Sequence, residues 1–162
     1  MSTPTIDTLT AIPHVVGGVR IEADGRTGPV FNPATGAQTG EVPLASAAFV
    51  HEAALTAQAA QPGWRETGLG KRQQVMFRLR EIIAQRAEEL ARIITAEHGK
   101  TVPDALGEVA RGLENVEFCT NLMHHLKGEF SEQVATGVDV HQVRQPIGVV
   151  ACITPFNFPA MV

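Results

Sequence analysis

The run Ile147-Gly148-Val149-Val150-Ala151-Cys152-Ile153 is apolar throughout and bracketed by Pro146 and Pro155. An unbroken β-prone run of this kind has no polar face to offer water. It predicts a strand buried on both faces, as in a parallel sheet covered by helices. A parallel strand also needs a neighbour reached by a crossover helix. Nothing before Ile147 reads as a set of such neighbours. The expected fold class is therefore α/β, with the run opening a sheet whose other strands lie outside this chain.

The segment ahead of that strand divides by hydrophobic period. After a polar start, expected to be disordered over residues 1–12, His14-Val15-Val16 and Val19-Arg20-Ile21 flank Gly17-Gly18. Two β-prone runs around a glycine pair predict a tight hairpin. A second strand–turn–strand unit runs from Val30-Phe31-Asn32-Pro33 through Thr35-Gly36 to Glu41-Val42-Pro43. Ser46 is placed to cap an Ala-rich helix that Pro62-Gly63 should end. From about Lys71, Val75, Leu79, Ile82, Ile83, Ala87, Leu90 and Ile94 recur at three- and four-residue steps, as on one helix face. This is either one long helix or two with a break near Gln85-Arg86, closed by Gly99. Thr101 and Pro103 start a further helix, expected to reach about Lys127. Gln133 to Arg144 alternates loosely around Gly137 and predicts a β-ribbon.

Charge and cysteine content narrow the classes of function. The formal net charge is −4, and no cluster of Lys and Arg breaks that average. Such a chain has no electrostatic reason to seek nucleic acid or anionic lipid. The longest apolar run is far too short to span a bilayer. The N-terminus lacks the basic and apolar regions of a signal peptide, so a soluble, cytoplasmic protein is expected. The 2 cysteines, Cys119 and Cys152, do not make a disulfide framework. Cys152 is expected to be a packing residue of the buried strand, and Cys119 has no basic neighbour to activate it. The 6 histidines show no ligand spacing, and no metal site is expected. Gly68-Leu69-Gly70-Lys71 lacks a preceding strand and reads as a linker.

Two residues carry candidate chemistry. The strand delivers Thr154-Pro155-Phe156-Asn157-Phe158-Pro159 to the carboxyl edge of its sheet, where open α/β sheets bind ligands. The amide of Asn157 can donate to an oxyanion without changing charge; equally, it can be a turn residue bonded to its own backbone. On the third helix Val109, Leu113, Val116 and Met123 form one stripe, with Arg111, Asn115, Phe118 and Leu122 on roughly the opposite side. Arg111 is either a solvated residue with Glu108 and Glu114 as helix partners, or a fork for a carboxylate.

The stretch RQPIGVVACITPFNFPAMV resembles the signature of the aldehyde dehydrogenase superfamily, in which the first dinucleotide-domain strand runs into a Pro-aromatic-Asn-aromatic-Pro loop. The form with Phe before Asn, together with GEVARGLENVEF at Gly107 to Phe118, is similar to the methylmalonate-semialdehyde dehydrogenase branch. AEHGKTVPDA carries the family's Glu-x-Gly-Lys pattern at Glu97 to Lys100.

The resemblance implies the N-terminal portion of the aldehyde dehydrogenase fold: hairpins and helices over 13–132, an oligomerisation ribbon over 133–145, and from 146–162 the start of a Rossmann-like NAD-binding core. It implies oxidation of malonate or methylmalonate semialdehyde with NAD, the acyl group passing to CoA with loss of CO₂. Asn157 would belong to the oxyanion hole, Arg111 would bind the substrate carboxylate, and Thr154 and Phe156 would touch NAD. It also implies a homotetramer joined through the ribbon. The nucleophilic Cys would lie beyond this chain, which alone would be inactive. The alternatives are a non-catalytic truncated product and another branch, such as a succinate-semialdehyde enzyme.

Overall fold

The computed structural model describes residues 9–22 and 25–162. Most of the segment expected to be disordered lies outside those residues. Thr10–Ala11, within it, forms β1 and pairs in parallel with Gly40 and Glu41. The hairpin is as the glycine pair demands: β2 (His14–Val16) and β3 (Val19–Ile21) are antiparallel, with Gly17 at φ 59° and Gly18 at φ 79°. Positive φ at both central residues is the turn that matches strand twist. β4 (Thr27–Phe31) and β5 (Gln38–Pro43) are also antiparallel, giving a small sheet of order β1-β5-β4.

Ser46 caps α1 (Ala47–Glu66) by accepting from the Phe49 amide at 3.1 Å. The helix does not end at Pro62-Gly63 as expected; it continues to Glu66. Proline removes the donor that would meet the Gln58 carbonyl and strains one turn, yet one further turn forms and is closed by the Thr67 hydroxyl, which donates to the Gly63 carbonyl at 2.8 Å. α2 (Leu69–Gln85) begins inside the stretch read as a linker, with Gly68 as its N-cap. Arg86 then breaks the helical run, at φ −109° and ψ 18°, and α3 (Ala87–His98) follows. Glu88 and Glu89 stand in the first turn of α3, where acidic side chains suit the positive helix end. Of the two alternatives for this region, the broken pair is the one found.

α4 (Val102–Cys119) ends earlier than expected, and a one-turn α5 (Leu122–His125) follows. Thr120 explains the break. Its hydroxyl donates to the Glu117 carbonyl at 2.7 Å, and its own carbonyl accepts from Gln73 of α2 at 2.6 Å. Such local bonds compete with the helix ladder. The core lies between α3 and α4, where Ala91 and Ile94 meet Ala105 and Val109, with Ile83, Ala87, Leu90 and Val102 around them. Two alanines at the contact let the helix axes approach closely.

β6 (Glu129–Ala135) and β7 (Val138–Gln142) form an antiparallel ribbon, starting a little before the expected Gln133. All of its residues are exposed. The expected buried strand is not found. Residues 147–153 pair with no strand among the described residues; Ile147 is 92 % exposed and Ile153 99 %. Cys152, expected to pack inside, is exposed as well. The reason is physical. A strand is a pairing of backbones, and these residues contain no neighbour with which to pair.

Candidate functional site

The site is built on the first half of α4. Thr101 caps the helix by accepting from the Asp104 amide, and its hydroxyl donates to the Asp104 carboxylate at 2.8 Å. Lys100 stands just before the cap. Two turns in, Glu108 is 2 % exposed, between the buried Ala105 and Val109. A carboxylate so buried needs partners, and it has them. Lys100 Nζ donates to Glu108 Oε2 at 2.5 Å, while Glu108 Oε1 accepts from the Ala160 amide at 2.7 Å. Burial pushes the Glu108 carboxyl up. The Lys100 ammonium and the backbone amides of Ala160 and Met161 outweigh that, and hold it below its ordinary value.

Those contacts pin the Pro-rich loop to the helix. Lys100 Nζ also donates to the Asn157 carbonyl at 2.9 Å and lies 4.8 Å over the Phe158 ring. Asn115 Nδ2 donates to the Met161 carbonyl at 3.1 Å. Between these anchors a Cβ on Gly112 would sit 2.9 Å from the Ala160 carbonyl oxygen, so only glycine lets the loop lie this close. Glu108, Gly112 and Asn115 are spaced at four and three residues and form one helix face.

A cleft of about 430 Å³ opens beside the clamp, lined by Lys100, Asp104, Gly107, Glu108, Arg111 and Phe158. Arg111 is exposed there and makes no ion pair among the described residues. The partner offered by spacing, Glu108, is committed to Lys100 and Ala160 instead. The Asn157 side chain makes no hydrogen bond among the described residues, so the bond to its own backbone is not seen. Thr154 is exposed and Phe156 is 88 % exposed. The structure thus brings Arg111 and the Phe158 end of the loop to one cleft, sets the Asn157 backbone on Lys100, and leaves Thr154 and Phe156 facing solvent.

Sequence reasoning missed the part that holds these pieces together. Spacing alone offers Glu108 only as a partner for Arg111, and Lys100 only as part of a pattern. The available signal was a carboxylate flanked at three- and one-residue steps by Ala105 and Val109, on the face that packs inward. Among the described residues, no group of His, Cys, Asp and Glu is arranged to hold a metal, and no helix is long and apolar enough to cross a membrane.

Residues 21–162 match the aldehyde dehydrogenase family. The malonate-semialdehyde dehydrogenase of Pseudomonas aeruginosa is 46 % identical over 149 residues, 92 % of this chain and 30 % of that protein. The solved methylmalonate-semialdehyde dehydrogenase from Oceanimonas doudoroffii superposes with a TM-score of 0.91 at 47 % identity, over 95 % of this chain and 32 % of that one. A Sinorhizobium meliloti 1021 protein described as a methylmalonate-semialdehyde dehydrogenase, in complex with NAD, gives 0.90 at 41 % identity, also over 95 % and 32 %. This chain therefore spans about a third of the length of the relatives it matches. A family match over most of the sequence and superposition at this level agree with the loop and helix just described: the chain belongs to the aldehyde dehydrogenase family.

Proposed function

We propose that these residues are the N-terminal third of an NAD-dependent, CoA-acylating dehydrogenase of malonate or methylmalonate semialdehyde. The observation that carries the reading is Arg111. It stands unpaired in the cleft beside the loop that bears Asn157. A free guanidinium fork in a cleft suits a carboxylate bidentately, and the proposed substrates carry one. Identity of 41–47 % to proteins named for those substrates supports the choice.

Each residue then has a task. Arg111 binds and orients the carboxylate. Asn157 aims its amide at the carbonyl oxygen that gains charge when the aldehyde is attacked, and a preorganised donor there stabilises the transition state. NAD, when bound, supplies the hydride acceptor. Thr154 and Phe156 would hold it, their hydroxyl and ring being exposed and free to meet a ligand. The nucleophile is assigned to a Cys outside these residues, since neither Cys119 nor Cys152 has an activating partner. CoA as acceptor, a cytoplasmic location and assembly through the ribbon complete the proposal.

The test is Arg111→Leu in the complete enzyme, following NADH formation with malonate semialdehyde and with propanal. Charged hydrogen bonds are worth about 1.5–3 kcal/mol, so kcat/KM for the semialdehyde should fall by about 10–100-fold while propanal is little affected. Equal losses on both substrates would return Arg111 to the solvated surface.

A further inference from the structure

The Lys100–Glu108 pair has no task in the reaction just described, yet it is the most deeply placed charged group of the described residues. Its geometry does more than neutralise a buried charge. Both members reach past each other to the backbone of the same loop. Lys100 donates to the carbonyl of Asn157, the residue whose side chain is proposed to meet the substrate. Glu108 accepts from Ala160, three residues on. Two backbone anchors, one on each side of Phe158 and Pro159, fix both position and direction of the peptide that carries the Asn157 amide. The Phe158 ring under Lys100 and the close approach of Ala160 to Gly112 remove the remaining freedom.

We infer that Lys100 and Glu108 are positioning residues for Asn157: the clamp aims its side-chain amide by holding its backbone. The inference rests on the proposed role of Asn157. Oxyanion donors act only within narrow limits of distance and angle, and a displacement of about 1 Å costs on the order of 10²-fold in rate. An amide on a loop outside regular secondary structure needs such a support. The chain supplies it from the first half of α4 and the residue before its cap rather than from the loop itself.

A double-mutant cycle in the complete enzyme separates this from a purely structural role. Glu108→Gln should lower kcat by about 10–100-fold, with KM for aldehyde and for NAD within about twofold of the parent. Asn157→Ala should lower kcat by about 10²–10³-fold. In the Asn157→Ala background, Glu108→Gln should cost almost nothing further, because a clamp has no effect once the group it aims is gone. A loss from Glu108→Gln that is the same in both backgrounds overturns the clamp and leaves the role of Asn157 intact. An Asn157→Ala enzyme of parental kcat overturns both. Should Glu108→Gln fail to fold, Gly112→Ala takes its place in the same cycle. Its methyl group pushes on the Ala160 carbonyl without touching any charge, and the same two outcomes decide. Glu108→Asp, which keeps the charge, should recover part of the lost kcat.

Discussion

At the scale of single residues, a buried charge reports more than an exposed one. Surface pairs such as Arg92 with Glu88 are exposed on both sides and contribute little. The Lys100–Glu108 pair has side-chain exposures of 13 % and 1 %, so its charges depend on each other. Breaking such a pair from one side leaves an uncompensated charge and costs about 3–5 kcal/mol. The pH dependence follows from the direction of the Glu108 shift. Its folded carboxyl titrates below the ordinary value of 4.5, so the ionised form contributes stability at neutral pH. That contribution is present above the ordinary value and lost as pH falls through the lower, folded one. The gap in melting temperature between the parent and Lys100→Met should therefore be widest near neutral pH and close below about pH 4.5. A gap that stays constant from neutral pH to well below that point would count against a charged Glu108.

At the scale of elements, periodicity was legible and punctuation less so. The glycine hairpin, the capped helices and the ribbon were all readable, because each depends on a local rule: positive φ, a hydroxyl cap, an alternating pattern. The boundaries at Pro62 and Thr120 were not readable. They turn on bonds from Thr67 and from Gln73 of another helix, and only the second of these is distant in sequence. The ribbon has a consequence of its own. Phe130, Val134, Val138 and Val140 are all about half exposed, and its outer backbone edges are unpaired. Exposed apolar edges of this kind seek a partner strand. The complete enzyme is expected to be a homo-oligomer with this ribbon between subunits, and Val140→Lys should weaken the assembly. Light scattering at micromolar concentration checks it; a monomeric parent would refute the assignment.

For the whole molecule, the buried residues are few: Ala91, Ile94, Ala105, Val109 and Glu108 in the helices, and Gly40 and Pro43 in β5, among those described. Against them stand large exposed apolar side chains at Ile147, Val150, Ile153 and Phe156. Large exposed apolar side chains so close together in sequence mark an interface or an aggregation site. Expressed alone, residues 1–162 should bind ANS, associate with rising concentration and form no NADH from malonate semialdehyde and CoA. Sedimentation and a dye titration test the first two expectations. A monodisperse, dye-silent monomer would show that this surface is covered in a way the structure does not contain.

The sequence by itself determined what is local. Helical stripes, caps, the hairpin and the Pro-Phe-Asn-Phe-Pro loop are properties of neighbours along the chain, and the last of these points to the family by itself. Whether Ile147–Ile153 becomes a strand was not local, because pairing needs a second backbone, and the described residues do not supply one. The clamp was not local either. Ala160 is separated from Lys100 and Glu108 by the rest of α4 and by the ribbon, and only the return of the loop onto α4 makes a buried carboxylate the partner of both a cation and an amide. Charge burial is decided by what the tertiary fold removes from water, and for that reason Glu108 looked like a surface residue until the fold placed it.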